Sequence, residues 1–355
     1  FSTEDKEQAI RFLKFAINKG GVAPEAYFFY GRALHLNYQF SKAKAQYIKF
    51  RSSVKPKVSD KINILSYIKQ CSSAEKLING IQKINVIHKK KVSKSEFFRS
   101  YRLGSMQRSI IVKPEEFQTK GDKKANEYSL IVHNAMNEVV YVSGYSKKDG
   151  IGGKDIFKIQ KMPDGTFSKP INIGPKINTA QDEDFPYLHP NGRVLYFASK
   201  GHNSIGGYDI FRSELDTLLN LWGNAVNVGF AVNSPDDDVL YVSDMDENIA
   251  YFASSRENKL GEITVYKILP NSNDVPAVIV RGEILIKGSN QKELDRINKI
   301  VKKINLLEKD VEKLNDNEFP KKTNEFIEQV KNGKKLDEIL PEAFALVREA
   351  AKRSR

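Results

Sequence analysis

Two acidic triplets stand out among the residues able to do chemistry, Asp182-Glu183-Asp184 and Asp236-Asp237-Asp238. Carboxylates this close could hold a calcium ion or divide into a general acid and a base. They recur, however, in step with a longer repeat of the chain, and a catalytic pair has no need of a copy. The capping of turns is the better account. The five histidines, His35, His88, His133, His189 and His202, lie far apart with no cysteine beside them, so no metal site is expected. Cys71 is the single cysteine, which excludes an intrachain disulfide and leaves the redox compartment open. A serine hydrolase of the elbow type would need G-x-S-x-G, which is missing. Gly150-Ile-Gly-Gly-Lys-Asp155 comes nearest to a phosphate-binding loop, yet it departs from G-x-x-x-x-G-K-[ST] in its first glycine spacing and lacks the hydroxyl. No catalytic residue, metal or cofactor is therefore expected, and the chain reads as non-enzymatic.

The elements around these residues follow from composition and pattern. A length of 355 residues suggests two or three domains. With 40% apolar and 28% charged residues, the chain is neither a disordered polyampholyte nor a membrane bundle. Its longest apolar runs, Tyr128–Val132 and Pro276–Val280, are strand-sized and too short to cross a bilayer. Lys and Arg number 57 against 44 Asp and Glu, a formal charge of +13, which favours acidic partners without choosing among them. Neither zinc-finger spacing nor an RNP motif is present, so no nucleic-acid partner is expected. The basic residues come in short runs such as Lys89-Lys90-Lys91, which reads as a solvated face. The chain begins with Phe1 and no signal-peptide pattern, as a processed or excised piece would.

Residues 5 to about 82 carry helical periodicity. Tyr27, Tyr30, Gly31 and Leu34 share one helix, Asn37-Tyr38-Gln39 makes a turn, and Ala43, Tyr47 and Phe50 lie on a second helix. Gly31 and Ala43 would let the two approach, and Pro56 falls near the end of the unit. This is the tetratricopeptide register, and a plain helical hairpin accounts for the same residues. In the repeat reading, Phe28, Arg32 and His35 would face a groove for an extended peptide; otherwise they are ordinary surface and packing positions.

The middle of the chain repeats. Gly152-Gly153-Lys154-Asp155-Ile156-Phe157 returns as Gly206-Gly207-Tyr208-Asp209-Ile210-Phe211. Each follows a strand-like run, Val140–Ser143 and Leu195–Ser199, and Ala250–Ser254 begins a third unit. Ile171-Asn-Ile-Gly174 matches Val226-Asn-Val-Gly229, and Asn178 matches Asn233. About four short strands fit one period, the size of a propeller blade. The glycine pairs are expected to supply a backbone conformation forbidden to a side chain, with Asp155 and Asp209 bonding turn amides. Trp222 is read as packing between blades.

Asp184-Phe-Pro-Tyr-Leu-His-Pro-Asn-Gly-Arg-Val-Leu-Tyr-Phe-Ala-Ser199 with Gly206–Phe211 resembles the WD40-like (PD40, TolB-type) propeller repeat. The order of helices, blades and a β segment over roughly residues 1–285, including Lys113–Phe117 and Val280–Ile284, is similar to periplasmic OmpA-family proteins of Bacteroidetes. Among them is a component of the type IX secretion and gliding machinery. The resemblance implies an outer-membrane-associated periplasmic location and partners among envelope or secretion-complex proteins. The peptidoglycan-binding domain of that family does not follow Val280–Ile284 in this sequence, so cell-wall anchoring is not implied.

From Gly288 the composition turns to helix formers, with Leu294, Ile297, Ile300, Val301, Ile304, Leu306, Leu307 and Val311 at helical steps. Further helical runs cover Lys321–Val330 and Leu340–Arg353. Ile297–Ile304 and Pro341-Glu-Ala-Phe-Ala-Leu-Val-Arg-Glu-Ala350 are similar to the amino-terminal segment of the preprotein translocase motor SecA. That family's nucleotide site lies downstream of this segment. Asn317 and Phe319-Pro320 depart from its usual helix, which should therefore be broken there.

The expected fold class is a multidomain α+β chain. It comprises tetratricopeptide-like helical repeats (1–82), a small all-β PD40/WD40-like propeller (83–270), a linker or truncated β segment (271–287) and a helical segment (288–355). The expected role is a non-catalytic protein-interaction scaffold without a membrane span. The alternatives are a SecA-related export fragment without its nucleotide site, or a fusion with no function of its own. The oligomeric state is left open.

Overall fold

The structure is a computed structural model that describes residues 6–78, 84–106, 108–125, 129–133, 138–270 and 291–353. The chain divides into two compact units, Phe1–Ala277 and Val278–Arg355. The run Val280–Ile284 and the linker expected over 271–287 lie outside the described residues.

The first unit opens with helices α1 (Lys6–Lys19), α2 (Glu25–Leu36), α3 (Phe40–Ser53), α4 (Pro56–Ile62) and α5 (Ile64–Leu77). Pro56 sits in the first turn of α4, where its missing N–H costs nothing. Asn63 joins α4 to α5 in the left-handed region (φ 55), which asparagine tolerates better than most residues. A Cβ on Gly31 would stand 2.7 Å from the Tyr47 ring, so glycine lets α2 and α3 close upon each other. Tyr47 and Phe50 are thereby sealed from water, each worth on the order of 2 kcal/mol of transfer free energy.

The strands are β1 (Asn85–Ser93), β2 (Ser109–Val112), β3 (Leu130–His133), β4 (Val139–Tyr145), β5 (Lys154–Gln160), β6 (Ile171–Asn172), β7 (Glu183–Leu188), β8 (Val194–Ser199), β9 (Asp209–Asp216), β10 (Leu221–Trp222), β11 (Val226–Asn227), β12 (Asp238–Ser243), β13 (Ala250–Ser254) and β14 (Glu262–Leu269). A short helix, α6 (Lys120–Ala125), lies between β2 and β3. All pairings are antiparallel, in sheets β2-β3, β4-β5-β6, β7-β8-β9 with β10 and β11 on β9, and β12-β13-β14-β1. Side chains of β8 alternate between two cores, as a two-residue period requires. Leu195 and Phe197 pack with Tyr141, Ile156, Phe211 and Trp222, whereas Tyr196 and Ala198 pack with Val239, Tyr251 and Phe252. Trp222 meets Tyr141 edge-on at 5.8 Å. Strand β1 is largely exposed, so Lys89–Lys91 do face solvent.

The expected fold class needs correction. The helices and sheets are not a tetratricopeptide domain followed by a separate all-β propeller; they form a mixed α and β unit. Among the described residues tandem helical repeats are not seen: α2 and α3 make one hairpin, α4 has seven residues, and α1 buries Ile10 alone. What covers the hairpin is not a second repeat but sheet-side residues, since Ile205 and Phe230 enter its core with Leu34, Phe40 and Tyr47. Among the described residues the sheets also differ in size, holding two, three, four and five strands rather than equal blades.

The second unit contains α7 (Gln291–Val311), α8 (Phe319–Lys331) and α9 (Leu336–Arg353). Between α7 and α8, Asn315 and Glu318 form a reciprocal capping box around a single 3-10 turn. Pro320 then falls in the first turn of α8, so the departures from the helical pattern at 317–320 mark a break and a new start. Among the described residues, no helix is long and apolar enough to cross a membrane.

Candidate functional site

The repeated residues meet at equivalent stations of successive sheets. Asp155 Oδ2 accepts hydrogen bonds from the Ile151 amide (2.5 Å) and Asn172 Nδ2 (3.2 Å). Asp209 Oδ2 accepts from the Ile205 amide (3.0 Å) and Asn227 Nδ2 (2.7 Å). Asn178 brackets Ile156 through both its amide N–H and its carbonyl, and Asn233 does the same to Ile210, at 2.8–2.9 Å. From the next repeat, Asp182 Oδ1 accepts the Lys154 amide and Asp237 Oδ1 the Tyr208 amide, both at 3.1 Å. The acidic triplets thus lace one turn to the next. Glu183 is closed off by Thr179 and Ser199, each at 2.7 Å, and burial raises its pKa to about 7. Burial also pushes Asp155 upward and Asp209 well above the carboxylate range. No group of three or more His, Cys, Asp or Glu among the described residues could hold a metal ion.

The glycine pairs serve a different purpose from the one expected. Gly152, Gly153, Gly206 and Gly207 do not lie in the left-handed region. They are needed for space. A Cβ would come within 2.1 Å of the Thr179 carbonyl oxygen at Gly152 and 2.4 Å of the Pro235 carbonyl carbon at Gly206. At Gly153 and Gly207 it would stand 2.2 Å from Asp182 Oδ1 and Asp237 Oδ1. A left-handed residue does recur, but at Phe185 (φ 53) and Leu240 (φ 54), within the bulges of β7 and β12. Neither is a residue type that announces such a backbone.

The structure separates Phe28, Arg32 and His35. His35 is fully buried, with Nδ1 3.2 Å from Tyr47 Oη and Nε2 2.7 Å from the Ile205 carbonyl. Burial, then the nearby Arg32 charge, lowers its pKa to about 3, so it is a neutral clasp between helix and sheet. Phe28 packs among Phe29, Tyr47, Phe50 and Tyr67. Phe28 and Arg32 are both half-buried, and Arg32 lines a cavity of about 380 Å³, bounded by Tyr67, Gln70 and Asn63 from the helices and by Lys200, Gly206, Gly207, Asp236 and Asp237 from the sheets. A second cavity of about 250 Å³ adjoins it through Asn63, Ser66, Gln70, Gln181 and Lys200, and reaches Lys69 and His202. Gln70 Nε2 donates to the Gly206 carbonyl at 2.5 Å and fixes the walls. Sequence spacing gave no sign of Gln70 or Lys200 as cleft residues, because the walls they join are 130 residues apart.

In the second unit, α7 and α9 are tied by charge. Lys352 bonds Glu308 (2.6 Å) and Glu312 (3.3 Å), and Arg348 bonds Asn305 (2.9 Å). Arg353 donates to the carbonyls of Leu314 (2.7 Å) and Glu312 (3.0 Å), closing the C-terminal end of α7, and lies 4.9 Å over the Phe319 ring. Ile339, Ala345 and Leu346 are buried, while Phe344 and Val347 on the other side of α9 are 56% and 67% exposed.

These helices are where the chain meets known proteins. The SecA DEAD-like domain family matches residues 283–355. Over this stretch the chain is similar to the protein translocase subunit SecA of Pelagibacter ubique, 67% identical over 70 residues, 20% of this chain and 8% of that protein. The counterpart from Blochmanniella floridana is 52% identical over 69 residues (19% and 8%), and that from Finegoldia magna 51% over 71 (20% and 8%). The chain spans about 8% of the length of these curated relatives. No solved structure matches. The expected periplasmic, outer-membrane-associated location is corrected by this result, because the relatives found are translocase subunits.

Proposed function

We propose that the chain acts as a SecA-related translocase fragment, its C-terminal helices standing in for the matching segment of a protein translocase subunit. The observation that carries this reading is the 67% identity over 70 residues, joined to the exposed apolar pair Phe344 and Val347 on α9. Exposed apolar residues three positions apart on a helix, turned away from its buried Ile339, Ala345 and Leu346, are what a helix presents to a protein partner. The chain would hydrolyse no ATP by itself, since it contains no G-x-x-x-x-G-K-[ST] run.

For residues 1–277 the proposal is a non-catalytic protein-binding module of the PD40 sequence type, with secretion-complex proteins rather than nucleic acid as partners. The matched hydrogen bonds of Asn178 and Asn233 and the adjoining cavities support it. Steady-state ATP turnover tests the first reading. The chain alone should show none, and adding it to a SecA that lacks its own matching segment should raise that protein's turnover. Turnover by the chain alone, or no response of the truncated SecA, would overturn it; the latter would leave a fusion without function of its own.

A further inference from the structure

The charge balance of the cleft in the first unit points to an occupant. Its acidic wall is already neutralised: Asp236 faces Lys6 at 3.3 Å and Asp237 faces Lys94 at 2.9 Å. Lys200 is likewise engaged by Asp182 at 2.8 Å. Arg32 differs. Its guanidinium lies 5.0 Å over the Tyr67 ring and faces no carboxylate at ion-pair distance among the described residues. Lys69, which lines the adjoining cavity, is also without such a partner among the described residues. Two cations in excess therefore line one continuous space.

We propose that this cleft binds an acidic peptide segment in extended form, one carboxylate lying on Arg32 and another toward Lys69. The Arg32 guanidinium also hydrogen-bonds Tyr47, and the remaining N–H groups of its five-donor fork can meet a carboxylate. Between the two charges the walls offer Asn63, Gln70 and Gln181, amide side chains that can pair with both the N–H and the C=O of a peptide backbone. Nucleic acid suits the space less well. Tyr67, the aromatic ring of the first cavity, is covered by Arg32 and offers no stacking surface to a base. The proposal does not depend on the likeness to SecA, which concerns other residues.

Fluorescence anisotropy of the full chain with a fluorescein-labelled peptide alternating glutamate and serine tests it. Binding should weaken about tenfold in Arg32→Gln, the loss of one charged hydrogen-bonded contact, and should weaken again with added salt. The exposed Lys69→Glu should also weaken binding, and it decides the matter if Arg32→Gln disturbs the Tyr47 and Tyr67 packing. Unchanged affinity in Lys69→Glu, equal affinity for an all-serine peptide, or displacement by oligothymidylate at equal concentration would overturn the proposal.

Discussion

Gly207 shows how one residue sets the spacing of two sheets. Its backbone approaches Asp237 so closely that a Cβ would stand 2.2 Å from Oδ1, and that carboxylate also accepts the Tyr208 amide and pairs with Lys94. Gly207→Ala should destabilise the first unit by about 1–3 kcal/mol, the usual cost of forcing atoms into a packed site; the midpoint of urea unfolding measures it. His35 and Glu183 make opposite demands on pH. Neutral His35, with its pKa lowered from 6.5 to about 3, contributes stability that is whole above pH 6.5 and is lost as pH falls through that window. Glu183 is raised from 4.5 to about 7, so the folded state favours its protonated form, and stability is lost as pH rises from 4.5 to 7. Relative to the parent chain, His35→Gln should therefore gain, and Glu183→Gln lose, about 2 kcal/mol on acidification from pH 7 to pH 5. Urea midpoints at the two pH values show whether the signs are as stated.

At the scale of elements, the C-terminal end of α7 hangs on a side chain from another helix. Arg353 supplies donors to the carbonyls of Glu312 and Leu314 and pairs with Asp316 at 2.9 Å. Arg353→Ala should speed hydrogen exchange of the Lys313 and Leu314 amides while leaving the middle of α8 unchanged. Equal protection in both proteins would show that the cap is not needed. This helix break was legible in the sequence, because Asn317 and Pro320 interrupt an otherwise periodic run, and proline is acceptable at a helix start. The strand repeats were legible for the same kind of reason: Asp155 and Asp209, like Asn178 and Asn233, recur at fixed spacing and make the same bonds. The sequence pattern points to a repeat array where the fold has one helical hairpin. Gly31, Ala43 and Tyr47 record that two helices touch, and they say nothing about what covers the pair. Ile205 and Phe230, which do cover it, carry no periodic signal. The cleft was hidden likewise, since Arg32 and Lys200 become neighbours through tertiary packing alone.

For the whole molecule, the two units bring different grounds for a function. The first owes its order to buried polar stations and to a helical pair clasped by His35. The second owes its standing to a short stretch closely similar to a translocase subunit, with Phe344 and Val347 left uncovered on α9. If those side chains are the contact face, their loss should not disturb the helices that carry them, since Ile339, Ala345 and Leu346 make the inner face. Calorimetric titration of the full chain into a SecA lacking its matching segment tests this most directly. The account predicts saturable binding that Phe344→Asp with Val347→Asp abolishes without loss of helix by circular dichroism. Absence of binding by the parent chain, or equal binding by the doubly substituted one, would contradict it.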